Sequence, residues 1–133
     1  MKRWSHWYPH VVAATALLVG CAIYLFVRPA SVYYAAGPIP VPLGGQLPSA
    51  LHTLAFALLG SLMVTRHSMA IAVIVTWGAI EMLAELAQHA LFPVPQTLAA
   101  YQQASTFDPA DLISIIAAIY IAVLVTRITR CMT

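Results

Sequence analysis

The chain has 133 residues, of which 62% are hydrophobic and 8% charged. A soluble domain carries about 25% charged residues, so the composition excludes one and points to an integral membrane protein with a mean hydropathy of +0.86. A formal net charge of +2 leaves no basic footprint for nucleic acid. The length allows one small bundle without a second domain.

Residues 1–10 combine Lys2 and Arg3 with Trp4, Trp7 and Tyr8, a basic end followed by an interfacial aromatic anchor. The first apolar run, 11–27, is close to the ~17-residue minimum for a span. Lys2 and Arg3, this run and then Leu18-Val19-Gly20-Cys21 are similar to a bacterial lipoprotein signal with its lipid-accepting cysteine. A mature lipoprotein turns polar after that cysteine, whereas Ala22-Ile23-Tyr24-Leu25-Phe26-Val27 stays apolar, so the segment is expected to remain as helix one. Cys21 and Cys131 should lie at different depths, which argues against a disulfide between them.

Residues 28–47 hold Arg28, Tyr33, Tyr34, the extended run Pro38-Ile39-Pro40-Val41-Pro42 and the pair Gly44-Gly45, a composition that cannot sustain a helix. Pro48-Ser49 offers good first-turn chemistry for a second span over 48–65. Arg66-His67-Ser68 reads as a tight connection in which Ser68 caps a third span over 69–91. Phe92-Pro93-Val94-Pro95 ends that span. Residues 96–106 predict a short surface helix, polar on one side. Asp108-Pro109-Ala110-Asp111 then opens a fourth span over 110–126, with Asp108 as N-cap, Pro109 at the first helical position and Asp111 at the third. The expectation is an all-α, polytopic membrane protein: one domain, a four-transmembrane-helix bundle with outer loops 28–47 and 92–109. Four spans put Lys2, Arg3, Arg66, Arg127 and Arg130 on one side and only Arg28 on the other. The positive-inside rule makes both termini cytoplasmic.

All four acidic residues, Glu81, Glu85, Asp108 and Asp111, fall in one stretch at the outer side. Ionisable groups in hydrocarbon are costly and mark functional candidates. Successive helical residues turn by ~100°, which puts Glu81, Glu85 and Gln88 within ~60° of one another, with His89 beside them. Ile80, Leu83, Leu86 and Ala87 take the opposite face, so the polar stripe should look inward. His52, in the expected first turn of helix two, faces the same side. No Lys or Arg occurs from 67 to 126. Something must therefore satisfy the carboxylates: a proton, His52, a ligand or a neighbouring subunit. Plainer roles compete at several positions. The aspartates suit a helix start, and His52, Gln88 and His89 suit a membrane boundary.

Metal and catalytic chemistry fare worse. Glu81, Glu85 and His89 stand at i, i+4 and i+8, and His52 could join them as a zinc or iron ligand. They fan across ~80° of the helix, and no His-Glu-x-x-His is present. A haem-ligating histidine pair fails on placement, since only His52 and His89 share the outer side. No Gly-x-Ser-x-Gly elbow occurs, and the outer half offers only Arg28 to a phosphate. No catalytic residue, metal ligand or cofactor is assigned, and an enzyme using paired carboxylates ranks last.

Leu51-His52-Thr53-Leu54-Ala55-Phe56-Ala57-Leu58-Leu59-Gly60, then Glu85-Leu86-Ala87-Gln88, then Phe107-Asp108-Pro109-Ala110-Asp111 together resemble the VanZ-like family of small bacterial membrane proteins. That family pairs a histidine and an apolar, aromatic-containing run with a later Glu-x-x-Gln and an Asp-x-x-Asp opening the last helix. The similarity covers roughly residues 47–125. Family members usually carry an arginine between the last two motifs, absent here, and Asn and Gly on the last helix, where this chain has Ile115 and Ala118. The resemblance implies a bacterial plasma membrane location and a role at the cell envelope. The family takes its name from a glycopeptide resistance protein. The expected activity is binding of a lipid, lipid-linked headgroup or glycopeptide in an outward-facing polar cleft, the candidate ligand-binding residues being His52, Glu81, Glu85, Gln88, Asp108 and Asp111. The alternative is a non-catalytic accessory subunit of a larger membrane complex. The expected partners are membrane lipids and, on the second reading, other membrane protein subunits.

Overall fold

The computed structural model describes residues 7–27, 46–89, 93–99 and 107–131, and these are helical apart from their connections. Helix α1 is Tyr8–Ala22 and continues as a π-helical turn over Ile23–Val27. Helix α2 is Gln46–Leu62, α3 is His67–Ala87 and α4 is Pro109–Cys131, with a 3-10 turn at Gln96–Leu98. Three helical segments are long and apolar enough to cross a membrane: Tyr8–Phe26, His67–Ala87 and Pro109–Cys131. Helix α2 has 17 residues, about 25 Å at ~1.5 Å per residue.

Each helix departs from its sequence-based bounds for a local reason. Pro9 lies in the first turn of α1, where its missing N–H costs nothing, so the helix begins ahead of Val11. Cys21 lies within the helix, and the apolar run after it stays helical. Pro48 is likewise a first-turn residue of α2, which starts at Gln46. Arg66, in extended conformation, is the N-cap of α3, and no side chain caps it. Ser68 is therefore inside the helix and not its cap. The third helix stops at Ala87, short of 91, because Gln88 and His89 bond three residues back, to Glu85 and Leu86. Such tightening is the usual way a last turn closes. Asp108 caps α4: its Oδ1 accepts from the Ala110 N–H at 2.9 Å, and its carbonyl accepts from the Asp111 N–H at 3.0 Å. Far from ending at 126, α4 runs to Cys131. The expectations for Arg28, the 28–45 loop, the end of the third span at Leu91–Phe92 and most of the surface helix over 96–106 lie outside the described residues.

The helices run up and down. Gly20, late in α1, touches Leu51, early in α2, with only 3.3 Å left for a methyl group against the Leu51 Cβ. Gly60, late in α2, meets Val73, early in α3. Helix α2 packs against all three others. Its Ala57 and Leu58 join Ala13, Ile74, Ala122 and Val125 in the apolar core. Much of this interior is alanine: Ala13, Ala55, Ala57, Ala70 and Ala122 are fully buried. Helices in lipid gain no hydrophobic drive to associate, and small residues let backbones approach and gain dispersion contacts instead. Three buried hydroxyls are absorbed by their own helices, while that of Thr126 has no hydrogen-bond partner among the described residues. Thr53 donates to the Ser49 carbonyl, Ser61 to Leu58, and Thr129 to Val125.

At one end of the bundle Arg130 ties α4 to the last turn of α2. Its guanidinium donates to the carbonyls of Ser61 (3.0 Å), Val64 (2.7 Å) and Thr65. These carbonyls have no helical partner, and a cation at a helix C-terminus also suits the dipole. The carboxylates occupy the opposite end.

Candidate functional site

At that opposite end a line of side chains binds three helices. Glu85, in the last turn of α3, is 8% exposed. Its Oε1 accepts the backbone N–H of Asp108 at 3.1 Å, and its Oε2 accepts Gln88 Nε2 at 2.8 Å. Asp108 in turn accepts Gln46 Nε2 on Oδ2 at 2.8 Å, while Oδ1 holds the first turn of α4. Gln46, Asp108, Glu85 and Gln88 thus fasten the first turn of α2, the start of α4 and the end of α3. Every donor is a neutral amide or backbone group. Asp111 follows in the first turn of α4, half-buried. Among the described residues this end contains no Lys or Arg, since Arg66, Arg127 and Arg130 all belong to the other.

His52 and Glu81 form a separate pair. Because α2 begins at Gln46, His52 lies in its second turn and not its first, one turn deeper than expected and level with Glu81 on α3. His52 Nδ1 stands 3.6 Å from Glu81 Oε1, with 53% and 22% of the two side chains exposed. That is longer than a hydrogen bond and within range of a charge interaction. The His52 ring meets Phe56 edge-on, with centroids 4.6 Å apart, and Phe56 stacks on Trp77 at 5.5 Å. His89 turns away to meet Phe107 edge-on at 5.0 Å.

The six candidate residues therefore divide. Glu85, Gln88 and Asp108 are engaged with one another, Asp111 stands beside them, and His52 with Glu81 makes a second centre. Glu81, Glu85 and His89 point to three different partners, and no group of three metal-ligating side chains occurs among the described residues. Gln46 was not a candidate. It reads as the tail of the Gly44-Gly45 loop, and only the early start of α2 reveals it as a helical donor.

A groove of about 400 Å³ lies next to the second centre, between α1 and α2. Leu17, Gly20 and Cys21 line one wall, Pro48, Ser49 and His52 the other. Small residues on both walls keep the helices' bulk out of it, and the π-helical turn supplies Tyr24 and Leu25 at its edge. π-turns are rare and occur often at functional sites. No motif announces this groove, because it depends on how α1 and α2, distant in sequence, lie against each other.

No family model, curated protein or solved structure matches the chain. The family resemblance accordingly rests on the motif residues alone.

Proposed function

We propose that this is a VanZ-like protein of the bacterial plasma membrane, with four spans and both termini cytoplasmic. It binds a lipid, lipid-linked headgroup or glycopeptide at its outward end. The observation that carries the reading is the apolar groove bordered by His52, with Glu81 directly behind that histidine. A concave, mostly apolar site with a few polar groups, in the range of ~300–1,000 Å³, is the usual form of a small-molecule site. The clasp formed by Gln46, Asp108, Glu85 and Gln88 fastens α2, which carries one wall of the groove, to α3 and α4. The residues of the VanZ-like resemblance, His52, Glu85, Gln88, Asp108 and Asp111, all belong to this end.

Orientation is supported by the charges. Arg66, Arg127 and Arg130 gather at the end away from the carboxylates, and positive residues favour the cytoplasm. Helix α2 is read as the fourth span because it lies among three apolar helices and contacts each. A membrane-impermeant thiol reagent applied to intact cells should leave Cys131 unmodified. Modification of Cys131 from outside reverses the orientation.

Purified protein, exchanged through mild detergent, should retain a stoichiometric amphiphile detectable by mass spectrometry of an organic extract. Cys21→Trp, which fills the groove from an exposed position, should lose it while keeping normal thermal stability. Absence of any retained amphiphile from the wild-type protein refutes the binding reading.

One observation favours the alternative, an accessory subunit of a larger membrane complex. A second hollow of about 360 Å³ between α2 and α3 is lined by Gly60, Ala72 and Thr76 beside Trp77. The buried Trp77 Nε1 has no hydrogen-bond partner. Small residues at a membrane helix face suit packing against another helix. A stoichiometric protein partner at purification would decide for this reading.

A further inference from the structure

We propose that the hollow between α2 and α3 receives the outer face of α4 from a second copy of this chain, with Tyr120 of one copy seated against Thr76 of the next. This goes beyond the ligand reading and does not depend on it. Tyr120 is 64% exposed. It is the central residue of α4, as Trp77 is of α3. The middle of a membrane span is a poor place for a lipid-facing tyrosine, whose usual seat is the interface, where its hydroxyl stays wet. In hydrocarbon an unpaired hydroxyl is costly. The Tyr120 hydroxyl makes no hydrogen bond to any described residue. The rest of its face is apolar, with Ile116 and Leu124 exposed one turn to either side.

The hollow offers the complement. It measures about 360 Å³, and Gly60, Ala72 and Thr76 leave it open. Thr76 is exposed there, and unlike Thr53 and Thr129 it donates to no carbonyl of its own helix. Two hydroxyls can each donate and accept, so Tyr120 and Thr76 satisfy one another. Small residues admit a helix closely, whereas a lipid chain would leave both hydroxyls unpaired. Depth decides for a copy of the same chain. The Ile119 side chain of α4 lies against Gly78 of α3, and the two helices run in opposite directions, so residue 120 is level with residue 77. Copies inserted in one orientation therefore bring Tyr120 to the depth of Thr76 without a vertical shift. A copy cannot fill its own hollow. Helix α4 packs against both α2 and α3, and its buried Ala118 and Ala122 lie ~160° around the helix from Tyr120. The contact is thus heterologous, using a different face on each copy, and it builds a ring or a row rather than an isologous pair.

Disulfide trapping tests this with Tyr120 left in place. Ala117 and Ile80 are both exposed, and each lies about one turn nearer the carboxylate end than Tyr120 and Trp77; Ile80 lines the hollow. Cys21 and Cys131, both exposed, are replaced by serine. The variants are reconstituted in phosphatidylcholine vesicles at high lipid excess and oxidised with copper phenanthroline. Ala117→Cys mixed with Ile80→Cys should give a cross-linked dimer, neither alone should, and the double variant should give a ladder of multimers. Adding Thr76→Leu, which fills the hollow from an exposed position, should cut cross-linking of the mixture about tenfold while the melting temperature holds. Tyr120→Phe, which keeps the ring and loses the hydroxyl, should cut it several-fold. A cross-link in either single variant alone pairs α4 with α4 or α3 with α3 and overturns the heterologous contact. Absence of cross-links from both the mixture and the double variant, in folded protein, overturns self-association through these faces. A mixture that cross-links unchanged with Thr76→Leu and Tyr120→Phe overturns the seating of Tyr120 at Thr76.

Discussion

At the scale of single residues, the question raised by carboxylates in an apolar chain has two different answers. Glu85 is satisfied within the molecule, by the Asp108 N–H and the Gln88 amide. Among the described residues Glu81 has only an imidazole, held at more than hydrogen-bond distance. The first arrangement is structural and the second is available for binding. Replacement separates them. Glu85→Ala strands a part-buried backbone N–H and an amide, and an unsatisfied buried polar group costs ~1–3 kcal/mol. Glu85→Gln keeps a carbonyl oxygen for Asp108, and Gln88 can turn its own amide to suit, so most of that loss should be recovered. Thermal unfolding in detergent should therefore rank wild type, Glu85→Gln and Glu85→Ala in falling order. Equal melting temperatures for all three would show that the clasp contributes nothing to stability.

At the scale of elements, helix ends and helix contacts decide what the sequence pattern leaves open. The polar face of α3 is legible: Ile80 and Leu83 are exposed while Glu85 is buried, as a 3.6-residue period requires. The capping role of Asp108 is legible too, because Asp-Pro at a helix start is local chemistry. The start of α2 is not. Gln46 is helical because Asp108, 62 residues away, accepts its amide, and no local signal encodes that. The same holds for Arg130, whose bonds to the Ser61 and Val64 carbonyls explain why α4 outlasts its expected end. Close approach is equally non-local. Gly78 is fully enclosed against Ile119, and a methyl group there would run into that side chain. Gly78→Ala gains helix propensity of about 1 kcal/mol, but overpacking a tight contact costs ~1–3 kcal/mol. Net destabilisation is the expected outcome. Adding Ile119→Val, which shortens the colliding branch, should restore much of the melting temperature. A stabilised Gly78→Ala would mean that the helices have room to separate.

At the scale of the whole molecule, polarity is sorted by end. Arg66, Arg127 and Arg130 collect at one end, where Arg130 closes α2. Carboxylates and carboxamides collect at the other, where they close α2, α3 and α4 on each other. Between them lies an alanine-rich interior in which the hydroxyls of Thr53, Ser61 and Thr129 bond to their own helices. Composition alone made the membrane class legible, since hydrocarbon-crossing helices require it. It could not reveal that the six candidate residues fall into a clasp and a pair, because that division depends on the axial offset of α2 against α3. Nor could it reveal the groove, which α1 and its π-helical turn form with the first two turns of α2. The clasp explains how three helix ends are held, and the groove with its His52–Glu81 border is where a ligand finds room.

The most direct test of that division is to map where a lipid tail rests. Wild-type protein would be reconstituted with a long-chain amphiphile carrying a diazirine near the end of its chain, irradiated, digested and sequenced by mass spectrometry. Adducts concentrated on residues 16–25 and 48–52, and competed away by the same amphiphile without the diazirine, are the expected result. Adducts spread evenly over the outward-facing Ile113, Ile116 and Tyr120 of α4, without competition, would contradict it and reduce the groove to ordinary lipid contact.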